Sequence, residues 1–140
     1  MEKILFLIRG IPGAGKSFVA EHLASMCDPK APVFSADQFF EKKKDDGTTE
    51  YKFNAKQLGI AHGTCFGNTE KAMIDGHKNI FVANTFTKKS ELVAYNQVAA
   101  EHGYNVVHLI VENRHGSTNV HNVPDETMKA MVERFDIKLV

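Results

Sequence analysis

Arginine and net charge are both scarce in this sequence of 140 residues. It contains only three arginines, and its 17 basic side chains are balanced by 17 acidic ones, so the formal net charge is zero. Proteins that hold nucleic acid along a broad face usually carry a clear excess of lysine and arginine. The balance therefore excludes an extended nucleic-acid footprint, but it allows contact with a single nucleic-acid or nucleotide end.

Cysteines and long apolar runs are scarce as well. Cys27 and Cys65 lie far apart and form no Cys-x-x-Cys motif, which predicts ordinary buried thiols in a cytoplasmic chain. The opening apolar run, Ile4 to Ile8, covers only five residues and ends at Arg9. It is too short for a signal peptide or a membrane span, so we expect a buried strand there and no membrane partner.

Apolar strands alternate with amphipathic helices along the chain. Short apolar runs occur at Lys3 to Ile8, Pro32 to Phe34, Ile80 to Ala83 and Val106 to Val111, and helical periodicity follows each of them. This order predicts an α/β fold with a doubly wound, mainly parallel sheet of about four or five strands and helices on both faces. A chain of this length is expected to make one domain, residues 1–140, with a self-sufficient core.

Two segments interrupt the alternation, and we expect both to be surface loops. The segment from Glu41 to Asn54 carries a run of lysines followed by two aspartates, charges that cancel locally. The segment of about residues 112–123 holds Arg114, His115 and His121 among small polar residues. We interpret this second segment as a short lid.

A phosphate-binding loop follows the first predicted strand. The residues from Gly10 to Ser17 match the Walker A pattern, and a predicted helix comes directly after them, as that motif requires. Glycines let consecutive N–H groups point at phosphate oxygens, and the helix adds its positive end. We predict binding of ATP and Mg²⁺, with Lys16 on the β- and γ-phosphates and Ser17 on the metal. The predicted nucleotide contacts are Gly10, Pro12, Gly13, Ala14, Gly15, Lys16, Ser17 and Phe18.

One carboxylate is placed to act beside this loop. An ATPase motor or a GTPase normally has an Asp after an apolar strand to organise Mg²⁺, but the strand ending at Ala83 runs into Asn84-Thr85. The strand ending near Ser35 does deliver Asp37. Strand ends line the ligand crevice of such sheets, so Asp37 either accepts the proton of an attacking hydroxyl or merely caps the following short helix.

Further motifs extend over nearly the whole chain. Besides Pro12-Gly13 and Asp37, they are Glu50-Tyr51-Lys52-Phe53, Lys56, Gly59-Ile60, Gly63, Phe66, Thr85, Glu101-His102-Gly103-Tyr104, Asn119, His121, Val123, Met131, Arg134 and Phe135. With these residues the chain resembles the kinase domain of the phage-type 5′-hydroxyl polynucleotide kinases. It also resembles their wider P-loop kinase family, which includes stand-alone AAA-type ATP-binding proteins.

The resemblance implies transfer of the γ-phosphate of ATP to a hydroxyl, with the 5′-hydroxyl of a polynucleotide or nucleotide as the acceptor. It also implies roles for individual residues: Lys16 and Ser17 serve the donor, and Asp37 is the general base. A lid arginine is implied to stabilise the charge on the transferring group.

Two positions depart from the polynucleotide kinases. They carry an arginine three residues after the base, where this chain has Phe40, and an Asp where this chain has Asn84. An amide can still orient an acceptor by hydrogen bonding. Phe39 or Phe40 either stacks on a nucleobase or packs in the core. On this basis Phe40, Asn84 and Thr85 are the predicted acceptor contacts.

The short list of arginines narrows the search for the cation that stabilises the transition state. Arg9 ends the first strand, near the adenine or on the sheet edge, and Glu133, Asp136 or a helix C-terminus explains Arg134. Arg114 lies in the polar lid segment and is the predicted catalytic arginine, unless it is only a solvated loop residue. His115 and His121 can assist by hydrogen-bonding to phosphates.

Three functions fit these patterns. The leading one is an ATP-dependent kinase of a polynucleotide or nucleotide 5′-hydroxyl. A kinase of a small metabolite, antibiotic or nucleoside suits the neutral composition and Phe40. An ATP-binding module that regulates a partner without catalysis suits the missing acid at Asn84.

Overall fold

A parallel sheet of four strands forms the centre of the molecule. The computed structural model describes residues 2–112 and 123–135. The strands and α-helices in chain order are β1 (Ile4–Arg9), α1 (Lys16–Ser25), β2 (Val33–Phe34), β3 (Glu41–Lys43), β4 (Thr49–Tyr51), α2 (Leu58–Ile74), β5 (Asn79–Asn84), α3 (Val93–Glu101), β6 (Asn105–Ile110) and α4 (Asp125–Arg134). Short 3-10 helices cover Ala36–Phe40, Ala55–Gln57 and Lys89–Leu92. The order β2-β5-β1-β6 confirms the predicted parallel α/β fold.

Both faces of the sheet are covered because the central strands are apolar on both sides. One cluster joins alternate residues of β1 and β5 to α2 and α3, and it contains Leu5, Leu7, Cys65, Ile80, Val82, Tyr95, Val98 and Ala99. On the other face, Ile8 and Phe81 pack against Ala20 and Ala24 of α1. Burial on both faces is the physical reason why these strands read as continuous apolar runs.

Strand register brings the functional loops to one edge of the sheet. β1 lies between β5 and β6, and Arg9 at its end pairs with Asn84 on one side and Ile110 on the other. β2 pairs with β5, so β5 separates it from β1. The loop after β1, the turn after β2 and the loop after β5 therefore all begin at the same, carboxyl edge of the sheet.

The predicted surface loop at Glu41 to Asn54 is wrong in part, because it contains an antiparallel hairpin. Strands β3 and β4 pair Lys42 with Glu50 and Lys43 with Thr49. At the tip, Asp46 accepts hydrogen bonds from both the backbone N–H and the hydroxyl of Thr48. The paired residues of the hairpin are mostly polar, so neither strand shows an alternation of apolar and polar residues. Hydrophobic periodicity therefore did not reveal the hairpin.

The remaining sequence-based expectations can be compared directly with the chain. Cys65 is buried and Cys27 is half-buried, both as free thiols. None of the helices in residues 2–112 and 123–135 is long and apolar enough to span a membrane. The predicted lid lies almost wholly outside the described residues.

Candidate active site

The loop after β1 has the backbone shape of a phosphate cradle. Gly13 and Gly15 adopt φ values of 82° and 101°, in the left-handed region that favours glycine. A Cβ on Gly10 would lie 2.6 Å from the backbone oxygen of Val111, so this position also requires glycine. Within the loop, the N–H of Ala14 donates to the carbonyl of Ile11 at 3.1 Å. The glycines thus let the chain turn sharply between β1 and α1.

Lys16 begins α1 and is held against this loop. Its Nζ donates to the carbonyl oxygen of Ile11 at 3.1 Å. Burial lowers the pKa of Lys16 from 10.5 to about 8, and the negative charge of Asp37 offsets part of that effect. No side chain among the described residues caps the N-terminus of α1 at Gly15. Its N–H groups and the Lys16 ammonium therefore suit an anion such as a triphosphate.

The next two residues of α1 point to solvent. Ser17 is exposed at the start of the helix, and its predicted contact with a metal ion stays a prediction. The ring of Phe18 is 75% exposed and stacks on His22 one turn later. The ring of Phe18 thus packs along α1 itself, and the predicted nucleotide contact of Phe18 stays a prediction.

Asp37 lies in the 3-10 turn after β2, and helix capping does not explain it. The N-cap of that turn is Ser35, whose backbone N–H donates to the side-chain oxygen of Gln38 at 3.2 Å. The Asp37 carboxylate instead accepts a hydrogen bond of 2.9 Å from the hydroxyl of Tyr51. It also lies near enough to Lys16 to raise the pKa of that ammonium. The structure thus brings the predicted base and the predicted phosphate-binding lysine together.

The predicted contact between Asn84 and an acceptor is wrong, because the Asn84 side chain is bonded to other parts of the protein. It is buried, and its Oδ1 accepts from the backbone N–H of Ala36 at 2.9 Å while its Nδ2 donates to Cys65 at 3.6 Å. An aspartate could accept from Ala36, but it could not donate to the thiol. Asn84 therefore fixes the turn that carries Asp37.

Phe40 corrects a second prediction. Its ring is 2% exposed and packs against Phe39, Tyr51 and Phe53, with centroid separations of 5.4, 6.1 and 5.1 Å. A ring enclosed in this way has no face for stacking on a nucleobase, so the core alternative is the correct one.

Thr85 connects two of the loops at the carboxyl edge of the sheet. It is half-buried, and its carbonyl accepts the N–H of Gly10 at 3.3 Å. This bond ties the end of β5 to the start of the phosphate-binding loop. The predicted acceptor contact from Thr85 stays a prediction.

Arg9 is buried at the end of β1, which lies between β5 and β6, so the sheet-edge alternative is wrong. The alternative near the adenine stays a prediction. Its guanidinium donates to the carbonyl oxygen of Phe86 from Nε at 2.9 Å and from Nη2 at 2.6 Å. The same group lies over the ring of Phe135, 4.8 Å from the centroid. Phe86 has a φ of 46°, a strained value for a bulky residue. Arg9 thus stabilises the loop after β5.

Arg134 contacts the same loop. Its Nε donates to the hydroxyl of Thr87 at 3.0 Å, and that hydroxyl lies 3.3 and 3.4 Å from the carboxylate oxygens of Glu91. Arg134 also lies in the last turn of α4, which agrees with the predicted helix C-terminus explanation. Arg114, His115 and His121 lie outside the described residues, so their roles stay predictions.

Replacing Arg9 with methionine is expected to lower the free energy of unfolding. The variant leaves the buried carbonyl of Phe86 without its two donors, which costs about 1–3 kcal/mol. Urea denaturation measures the loss. Lys30→Met is a suitable control, because Lys30 is exposed and pairs with Glu21 on the surface. Equal stability of both variants and the wild type would contradict the anchoring role.

A mainly apolar pocket of about 230 Å³ adjoins the phosphate-binding loop. It lies between the ends of β1 and β6 and the last turn of α4. Its lining is Gly10, Ile11, Ile110, Val111, Glu112, Val132 and Phe135. The pocket is therefore contiguous with the residues that form the cradle.

Comparison with known proteins agrees with this geometry. Residues 5–137 match the family profile described as "AAA domain". The chain is 27% identical over 139 residues to NEDD4-binding protein 2 of Homo sapiens, an alignment that covers 94% of this chain. The chain spans 8% of the length of that curated relative.

Two solved structures share the fold. Kti12 of Chaetomium thermophilum, in complex with ADP-AlF3, has a TM-score of 0.63 and 13% identity, covering 94% of this chain and 80% of its own. An APS kinase of Mycobacterium tuberculosis has a TM-score of 0.55 and 12% identity, covering 95% of this chain and 96% of its own. This chain therefore shares its fold with these two proteins.

Proposed function

We propose that this chain, which belongs to the AAA domain family, is a kinase that transfers the γ-phosphate of ATP to a hydroxyl acceptor. The observation that carries the proposal is the meeting of Lys16 and Asp37 at one edge of the sheet, where the negative charge of Asp37 raises the pKa of the Lys16 ammonium. A lysine that holds the phosphates is enough for nucleotide binding, whereas transfer to a hydroxyl also needs a group that accepts the proton of the acceptor. The Asp37 carboxylate beside Lys16 can supply that group.

The residues of the cradle fit ATP and Mg²⁺. Gly13 and Gly15 give the loop its inward turn, the uncapped start of α1 faces the same place, and Lys16 supplies the positive charge. The exposed hydroxyl of Ser17 would hold Mg²⁺. When bound, ATP supplies the phosphoryl group, and the metal ion offsets the negative charge of its oxygens.

The pocket beside the cradle suits the adenine base. Ile11, Val111, Val132 and Phe135 give it apolar walls, and Gly10 joins it directly to the phosphate-binding loop. Such walls favour a planar base over the charged parts of a nucleotide. Placing the base there leaves the phosphates on the side of Lys16.

Asp37 acts as the general base in this proposal. Its carboxylate accepts the proton of the acceptor hydroxyl while the acceptor oxygen forms a bond to the γ-phosphorus. The bond between that phosphorus and the bridging oxygen breaks, and ADP leaves with the electron pair. The products are ADP and a phosphate monoester of the acceptor.

The proposed acceptor is the 5′-hydroxyl of a polynucleotide or nucleotide. Support comes from the resemblance and from the hairpin that follows the Asp37 turn, which carries Lys42, Lys43 and Lys44. By the strand register, Lys43 lies on the same face of the hairpin as Tyr51, which contacts Asp37. The zero net charge limits this footprint to the acceptor end. The burial of Phe40, which removes base stacking there, favours a small hydroxyl compound as the second candidate.

A labelling experiment tests the acceptor. The protein is incubated with γ-labelled ATP, Mg²⁺ and, separately, 5′-hydroxyl DNA, 5′-hydroxyl RNA, nucleosides and a panel of hydroxylated metabolites. We expect label on an oligonucleotide 5′ end, and none on the same oligonucleotide already carrying a 5′-phosphate. Label only on a nucleoside or metabolite would replace the acceptor class. No labelled product from any acceptor, with ATP binding intact, would overturn the kinase proposal.

A further inference from the structure

Tyr51 contacts the proposed base, although neither periodicity nor the P-loop pattern pointed to it. It is the last residue of β4, 14 positions after Asp37, and its hydroxyl donates to Asp37 Oδ1 at 2.9 Å. The hairpin delivers it there, because Tyr51 pairs with Glu41, which follows the turn of Asp37 directly. The open end of the hairpin therefore lies beside the carboxylate.

Contacts with Phe40 hold the ring of Tyr51 in place. It packs edge-on against the buried ring of Phe40, with centroids 6.1 Å apart. The backbone N–H of Lys52 also donates to the carbonyl of Phe40 at 2.9 Å. These contacts set the distance of the Tyr51 hydroxyl from the turn that carries Asp37, so the hydroxyl is held in place by rigid neighbours.

The phenol is a donor throughout the working pH range. Burial, followed by the negative charges of Asp37 and Glu41, raises the pKa of Tyr51 above its ordinary value. The hydroxyl thus keeps its proton, and the hydrogen bond runs from Tyr51 to the carboxylate. A carboxylate offers about four lone-pair sites, and this bond takes one of them.

We propose that Tyr51 is the positioning residue of the general base, and that its hydroxyl orients the Asp37 carboxylate toward the acceptor hydroxyl. This inference rests on the proposed kinase function. A base must lie within hydrogen-bond reach of the proton that it removes. A carboxylate that rotates freely about its side-chain bonds is correctly placed only part of the time, and this lowers the rate of proton removal. Tyr51 restricts that rotation, while the buried amide of Asn84 fixes the backbone of the same turn.

The test is a double-mutant cycle with Tyr51→Phe and Asp37→Asn. Tyr51→Phe keeps the ring and its packing on Phe40 and removes only the hydroxyl. We expect it to lower kcat by about tenfold and to leave the KM for ATP within about twofold. In the Asp37→Asn background the same change is expected to lower kcat no further, because Tyr51 acts through the Asp37 carboxylate.

A merely structural hydroxyl gives a different pattern. Tyr104→Phe removes a hydroxyl that donates to the carbonyl of His77, away from Asp37, and is expected to leave kcat unchanged. An unchanged kcat in Tyr51→Phe, or a loss of equal size with and without Asp37, would overturn the positioning role while the kinase function stands. Absence of transfer by the wild type would overturn the kinase function itself. Thermal unfolding and ATP affinity of each variant confirm that the fold is intact.

Discussion

Asp37→Asn is expected to lower phosphoryl transfer by about 10²-fold or more while ATP affinity stays within about twofold. General-base catalysis contributes about 10²- to 10⁴-fold, and an amide cannot accept the proton. The substituted side chain still offers an oxygen to the hydroxyl of Tyr51 at the position of the 2.9 Å bond. The loss should therefore be confined to the chemical step. Single-turnover transfer from γ-labelled ATP measures that step, and calorimetric titration measures ATP affinity.

Asp75→Asn is the matched control for this variant. Asp75 is exposed at the end of α2, and its replacement makes the same change of charge outside the carboxyl edge of the sheet. We expect wild-type transfer from it. A normal rate in Asp37→Asn would show that Asp37 is not the base, and a slow rate in Asp75→Asn would indicate a general effect of charge.

Lys16→Met is expected to weaken ATP binding and to stabilise the free protein. Hydrogen bonds to charged groups contribute about 1.5–3 kcal/mol, so losing the lysine contact to phosphate should weaken binding about 10- to 100-fold. In the free protein the same ammonium is buried against the Ile11 carbonyl. Removing it should raise the free energy of unfolding by on the order of 2 kcal/mol near pH 7.

The stabilisation should have a defined pH dependence. Burial lowers the pKa of Lys16 from 10.5 to about 8, so between these values the unfolded chain binds a proton that the folded chain does not. Between these pH values the free energy of unfolding of the wild type increases as pH rises. Below about pH 8 the free-energy cost of burying the Lys16 ammonium is fully present. The advantage of Lys16→Met should accordingly be largest below pH 8 and shrink toward pH 10.5.

Urea denaturation from pH 7 to 10 measures this difference. Other titrating groups contribute equally to both proteins, so their effect on the free energy of unfolding cancels when the variant is compared with the wild type at each pH. Lys78→Met, at an exposed position, should show no such trend. An advantage of Lys16→Met that does not vary with pH, or a variant less stable than the wild type at pH 7, would show that burial of Lys16 carries no penalty.

The sequence revealed the sheet because its strands are buried on both faces. Leu5, Leu7 and Ile8 of β1 are fully buried, and such strands read as apolar runs. The phosphate-binding loop was equally predictable, because the positive φ values of Gly13 and Gly15 can be met cheaply only by glycine. In both cases a local physical requirement determines the residue type.

Contacts between distant parts of the chain were not predictable. Asn84 bonds the backbone of Ala36, 48 positions away, and Arg9 bonds the carbonyl of Phe86, 77 positions away. A polar residue at the end of a strand looks the same whether it faces a substrate or another loop. Only the strand order, which places β5 between β1 and β2, shows that Asn84 is enclosed.

The hairpin was missed for a different reason. Its pairs, such as Lys42 with Glu50, are polar, so the strands leave no alternation in the sequence. Missing the hairpin also concealed Tyr51 as a neighbour of Asp37, since a residue in a loop of unknown shape cannot be placed. Phe40 was ambiguous because an aromatic ring after a strand serves equally well in a core or in a stack, and its 2% exposure decides for the core.

The most direct test of the kinase function is the stoichiometry of a single turnover. Wild-type protein in excess over γ-labelled ATP is mixed with Mg²⁺ and a 5′-hydroxyl oligonucleotide, and the label is followed with time. We expect one labelled phosphate monoester on the oligonucleotide for each ADP formed. The transfer rate of the wild type should be about 10²-fold higher than that of Asp37→Asn. Label released only as inorganic phosphate, or appearing on the acceptor equally fast in both proteins, would contradict transfer from ATP to a hydroxyl activated by Asp37.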